Sequence, residues 1–144
     1  MSKVLVVYCS MSGNTKAAAE AVAEGAKAAG ATVALKESRD AQVPDLVGCD
    51  AVAFGSYDAF SYMGGNLKDF FDRTFYPTQG KVAEKPYAAF VTHGGGGSAV
   101  SSIESLAKSF KLKKIADSVL VNSRPDEQAT KRLKALGAAL AKAK

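Results

Sequence analysis

Val4-Leu-Val-Val-Tyr-Cys-Ser-Met-Ser-Gly-Asn-Thr15 is the stretch against which every later segment is placed. Its apolar run, Val4 to Val7, reads as a buried β-strand. The run stops in Ser10-Met-Ser-Gly-Asn-Thr15, small hydroxyl and amide residues around one glycine. Lys16 to Ala29 follows, rich in alanine, the strongest helix former. A loop between strand and helix lies at a helix N-terminus, where N–H groups lack partners and the dipole favours an anion. Ser10, Ser12 and Thr15 add hydroxyl donors, Asn14 an amide, and Met11 and Gly13 their backbone. These features predict a phosphate site neutralised by dipoles. The competing reading is an ordinary helix cap by Ser12 or Asn14.

Outward from there the chain alternates. Gly30 suits the end of the first helix. Thr32 to Leu35 reads as a second strand, and Lys36 to Asp45, with Pro44, as a connection. Asp50 to Phe54 is a third strand, closed by Gly55, and Ser56 to Gly65 a long aromatic loop. Asn66 is placed to cap a helix whose Leu67, Phe70, Phe71 and Phe75 share one face. Tyr87 to Val91 is a fourth strand, ending in Thr92-His-Gly-Gly-Gly-Gly-Ser98. Glycine runs allow positive φ and close approach of a ligand to the backbone. A helix bearing Val100, Ile103, Ala107 and Phe110 on one face leads to a fifth strand, Ile115 to Val121. Arg124-Pro-Asp-Glu opens a last helix with Ala129, Leu133, Leu136 and Leu140 in a stripe.

Strands alternating with crossover-length helices predict one α/β domain spanning residues 1–144, a doubly wound five-stranded parallel sheet with helices on both faces. Right-handed crossovers and the strand order 2-1-3-4-5 are expected. In such sheets ligands sit beyond the carboxyl ends of the strands, at the switch point between strands 1 and 3. The three unusual loops, Ser10–Thr15, Ser56–Gly65 and Thr92–Ser98, all follow strands at that end.

Composition narrows the function. At 144 residues the chain can bury a real core, and no apolar run approaches a membrane span. Met1-Ser2-Lys3 leads straight into a strand without a signal-peptide core, so a cytoplasmic location is expected. Cys9 and Cys49 lie far apart and His93 is the sole histidine, which argues against zinc or iron–sulfur sites and for two buried, reduced thiols. The net charge of +5 gathers at Lys108–Lys114 and Lys131–Lys144, which read as solvated faces. The series of interleaved aromatics of a single-strand binder is missing, so nucleic acid is not an expected partner.

The first loop offers phosphate donors. The second brings Tyr57, Phe60, Tyr62 and Met63, and the third flexible backbone. A ligand with a phosphate at one end and a flat, polar-edged aromatic system at the other suits all three. Flavin mononucleotide (FMN) has that shape. On these residues the chain resembles the flavodoxin-like FMN-binding proteins over nearly its whole length. Ser10-Met-Ser-Gly-Asn-Thr15 is similar to the family's phosphate loop. Gly55-Ser-Tyr-Asp-Ala-Phe-Ser-Tyr-Met-Gly-Gly-Asn-Leu-Lys-Asp-Phe-Phe-Asp-Arg73 resembles the loop and helix of the branch containing NAD(P)H:quinone reductases, and Thr92–Ser98 the third FMN loop. The resemblance implies that Ser10, Met11, Ser12, Gly13, Asn14 and Thr15 hold the phosphate. It also implies that Tyr57, Asp58, Ala59, Phe60, Ser61, Tyr62, Thr92, His93, Gly94 and Gly97 line the ring. Tyr57-Asp58 stands where the family usually has Pro-Thr, and Ser61-Tyr62 where it commonly keeps a glycine. An anion at Asp58 near the ring would lower its potential.

The favoured function is electron transfer through bound FMN between redox partner proteins, with no catalytic side chain required. The positive charge is unlike that of acidic carrier flavodoxins and suits an acidic partner. The alternative is an NAD(P)H-dependent FMN or quinone reductase passing hydride to flavin N5. A third is a flavin-free scaffold or binding module. Neither monomer nor dimer is favoured. A phosphoacceptor receiver needs an acidic pair after strand 1, which Tyr8-Cys9-Ser10 does not supply. A dinucleotide fold needs G-x-G-x-x-G there, despite Glu37 near the end of strand 2. Nucleophilic catalysis has no support around His93.

Overall fold

The computed structural model describes residues 2–143. Strand β1 is Lys3–Tyr8, followed by helix α1 (Asn14–Ala28) and strand β2 (Thr32–Glu37). Val4 and Val6 face one core and Leu5 and Val7 the other, so the strand shows no polar alternation. The region read as a connection holds a short helix, α2 (Val43–Gly48), with Pro44 in its first turn and a reciprocal Gln42/Asp45 cap. Lys85 Nζ donates to the carbonyls of Leu46, Val47 and Cys49 at the other end of α2.

Strand β3 runs Ala51–Ala59, well past Gly55, the end expected from the sequence. A Cβ at Gly55 would lie 2.1 Å from the Phe90 ring. Glycine stands there because an aromatic of the neighbouring strand occupies the space, not because the chain turns. The turn comes later. Asp58 and Ala59 pair antiparallel with Met63 and Tyr62 of β4 (Tyr62–Met63), so the expected long aromatic loop is a two-residue β-hairpin. Its turn residues, Phe60 (φ 56°) and Ser61 (φ 68°), are both left-handed, the type I′ pattern that usually takes Asn-Gly.

Helix α3 (Gly65–Thr74) is entered from Gly64 with no side-chain cap, so Asn66 does not serve as one. Strand β5 (Pro86–His93) and helix α4 (Ala99–Ser109) follow. The expected fifth strand is divided into β6 (Lys113–Lys114) and β7 (Val119–Asn122), both parallel to β5. Between paired positions β5 advances three residues, Tyr87 to Phe90, while its partner advances five, Lys114 to Val119. The surplus bulges out, and there Ser118 Oγ donates to the Glu104 carboxylate, which also pairs with Lys114. Helix α5 (Glu127–Lys142) starts on Asp126, whose carboxylate accepts the Ala129 N–H.

The order β2-β1-β3-β5, with β6 and β7 beyond β5 and β4 attached to β3, is the expected 2-1-3-4-5 with its last strand broken. Helices α1 and α5 cover one face, burying Val22, Leu133 and Leu140. Below the other face Phe54, Phe70, Phe71, Tyr87 and Phe110 form a tilted aromatic cluster. Among the described residues no helix is long and apolar enough to cross a membrane.

Candidate functional site

The three loops meet. A cleft of about 180 Å³ opens at the carboxyl ends of β1, β3 and β5, lined by Ser12, Asn14, Tyr57, Asp58, Thr92, His93, Gly94 and Ser123. An aromatic groove of about 400 Å³ lies elsewhere, between α3 and α4, lined by Phe71, Phe75, Tyr76 and Phe110 and edged by Lys68 and Asp72, which pair with each other.

The first loop is shaped by its own side chains. Gly13 adopts φ 96° at the start of α1 and has no side-chain cap, so neither Ser12 nor Asn14 caps the helix. Ser10 Oγ instead accepts the N–H groups of Gly13 and Lys16. Its lone pairs are therefore spent inside the loop. Thr15 is buried, and its hydroxyl lies 2.7 Å from that of Thr92, also buried. Thr15 thus joins α1 to β5 rather than presenting its side chain to the cleft. Met11 is exposed. Ser12 and Asn14 are the first-loop side chains that reach the cleft. A Cβ on Gly13 would meet nothing within 4 Å, so the space before the loop is open. The donors there are amides and hydroxyls with no carboxylate, which suits a phosphate group.

The hairpin splits the second loop into residues that face the cleft and residues that do not. Tyr57 and Asp58 line it. The Tyr57 ring lies against Gly64, and burial, then Cys9, raises its phenol pKa. Ala59 and Tyr62 pair across the hairpin, Ser61 sits in the turn, and Phe60 projects fully into solvent. In the third loop Thr92, His93 and Gly94 line the cleft. His93 Nδ1 accepts the Gly95 N–H. Gly97 (φ 85°) donates its N–H to Asp58. The carboxylate expected as an anion near the ring is hydrogen-bonded to backbone.

Ser123 was not among the residues read from the sequence. It is left-handed (φ 64°), and its N–H donates to the His93 carbonyl. Its signal was the polar Asn122-Ser123 step after the fifth strand, at the same end of the sheet as the other loops. Cys9 and Cys49 are buried and unpaired, and burial raises both thiol pKa values. No cluster of three metal-ligating side chains gathers among the described residues.

A doubly wound sheet whose three loops close on one cleft at the carboxyl ends of its strands places the chain in the α/β class with a switch-point site. The family model for flavodoxin matches residues 6–137, and the chain belongs to that family, whose members bind FMN. It is 39% identical over 98 residues to a flavodoxin of Aquifex aeolicus, covering 67% of this chain and 53% of that protein. It is 38% identical over 94 residues to NAD(P)H dehydrogenase (quinone) 3 of Rhizobium meliloti, covering 51% of this chain and 44% of that protein. The chain spans about half the length of these curated relatives. Among solved structures, a flavodoxin from the domain Archaea superimposes with a TM-score of 0.90 at 28% identity, covering 96% of both chains.

Proposed function

We propose that this protein is an FMN-binding electron carrier. The observation that carries the proposal is the convergence of Ser12 and Asn14, Tyr57 and Asp58, and Thr92 to Gly94 on one cleft, from segments far apart in sequence. FMN, when bound, supplies one- and two-electron chemistry. The chain supplies binding and surroundings. Ser12, Asn14 and the unspent first-loop amides hold the phosphate. Of the Thr15–Thr92 hydroxyl pair one donates and one accepts. If Thr15 donates, the Thr92 proton is available to a group in the cleft. Tyr57 and Asp58, with Thr92, His93 and Gly94, line the cleft where the ring would lie, and the Phe60–Ser61 turn and the glycine run flank it. At about 180 Å³ the cleft is below the size of a pocket that encloses a whole ligand. That suits a cofactor laid across the rim, with one edge left open to partners.

The partner class is an acidic redox protein, because the net charge of +5 favours encounter with one. We further propose that residues 1–144 fold as a single domain and that the protein works in the cytoplasm. A second reading, NAD(P)H-dependent quinone reduction, draws on the similarity to the Rhizobium meliloti enzyme. Steady-state NAD(P)H oxidation with a soluble quinone separates the two.

The phosphate assignment is tested by titrating FMN and riboflavin against the purified flavin-free protein, following flavin fluorescence. Ser12→Ala with Asn14→Ala removes two hydrogen bonds to a charged phosphate and is expected to weaken FMN by about a hundredfold or more while leaving riboflavin nearly unchanged. Equal losses for both flavins would show that these residues do not face the phosphate. Failure of the parent protein to quench either flavin would remove the proposal altogether.

A further inference from the structure

The Asp58 carboxylate has a second use that family membership does not assign. Oδ1 accepts the Ser61 N–H at 2.8 Å, and Oδ2 accepts the Gly97 N–H at 2.8 Å. The two donors belong to different loops, 36 positions apart in the chain. Both lie on backbone with positive φ, 68° at Ser61 and 85° at Gly97.

The turn needs an external hold. Phe60 and Ser61 occupy a conformation that disfavours any side chain, and bulky Phe60 most of all. Phe60 is fully solvent-exposed, so its ring does nothing to fix the turn by packing. The glycine run also lacks side chains of its own. Gly97 is set by contact: a Cβ there would lie 3.0 Å from Leu120 and 3.3 Å from His93. Gly96 packs on Asp58 itself, where a Cβ would be 3.2 Å from Oδ2. Hydrogen bonds to an ionised carboxylate are the strong kind.

We propose that Asp58 is a positioning residue, a clamp whose two carboxylate oxygens fix the hairpin turn and the glycine run at one separation. It thereby preforms the two walls between which a planar ring edge is read. A wall held in place before binding lowers the ordering cost of binding. The clamp acts at the ring end and leaves the phosphate end alone. Its effect on affinity rests on the FMN reading above, whereas its effect on the free protein does not.

Asp58→Asn tests the clamp at constant shape. One amide oxygen still accepts, but the NH₂ group cannot, so one of the two ties is lost. In the flavin-free variant, amide hydrogen exchange at Ser61 or Gly97 is expected to speed up about tenfold or more, with core amides such as Val6 and Phe90 unchanged. FMN and riboflavin are both expected to weaken about tenfold, by the same factor, because the lost tie is remote from the phosphate. Adding Ser61→Gly relieves the left-handed turn and is expected to recover part of the lost affinity. Unchanged exchange at both amides overturns the clamp. So does a loss confined to FMN. Loss of protection spread over the whole chain, in both the single and the double variant, also overturns it, since Asp58 would then support global stability rather than loop position. If no flavin binds even the parent protein, the exchange result still decides for or against the clamp, and only the FMN reading falls.

Discussion

Replacing Thr15 by valine removes one hydroxyl from a buried pair and leaves the other without its partner. Thr15 and Thr92 are 1% and 3% exposed, and their oxygens are 2.7 Å apart. Water cannot take over a position so deeply buried without rearrangement. A buried polar group that loses its partner costs about 1–3 kcal/mol. Thr15→Val and Thr92→Val should therefore each destabilise by roughly 2 kcal/mol. The double replacement removes both polar groups and puts methyls of the same shape in their place, which can be nearly neutral. The cycle should show a coupling of at least about 1 kcal/mol, well above the scatter of about 0.3–0.5 kcal/mol expected of independent sites. Urea unfolding of the flavin-free protein measures it, reading the midpoint at constant slope. The β-branched shape is kept at both positions, so neither helix start nor strand is penalised for its backbone. Additive losses would refute the reasoning and mean that each hydroxyl is satisfied elsewhere.

Two further outcomes follow from packing and burial. Gly55→Ala places a Cβ 2.1 Å from the buried Phe90 ring and should cost about 1–3 kcal/mol or more, with partial rescue by Phe90→Leu; an unchanged melting temperature would contradict the close approach. Burial pushes the Cys49 thiol up to about 11, although Lys85 pulls the other way. The unfolded chain therefore loses its thiol proton first. Stability is fully present below the ordinary thiol range and falls as the pH rises toward 11, with a slope approaching about 1.4 kcal/mol per pH unit, and Cys49→Ala should flatten that limb.

What could be read from the sequence was whatever a short window encodes. The apolar run Val4–Val7, the alanine-rich helix after it and the stripe Leu133, Leu136, Leu140 each declare their element within a dozen residues. Together they gave the strand order and the end of the sheet where the loops gather. The hairpin was hidden because Gly55 and Phe60-Ser61 carry misleading local signals. Glycine usually ends a strand, yet this one makes room for Phe90, and a type I′ turn usually needs glycine or asparagine, yet this one is held by Asp58. The roles within the first loop were hidden for the same reason. Ser10, Ser12 and Thr15 are chemically alike, and only the fold sends one inward to its own loop, one to the cleft and one to Thr92, 77 positions away. Local backbone preference is a property of neighbours along the chain, so the sequence alone determines the main strands and helices and their succession. The direction in which a side chain spends its hydrogen bonds is a property of neighbours in space, and only the tertiary structure decides it.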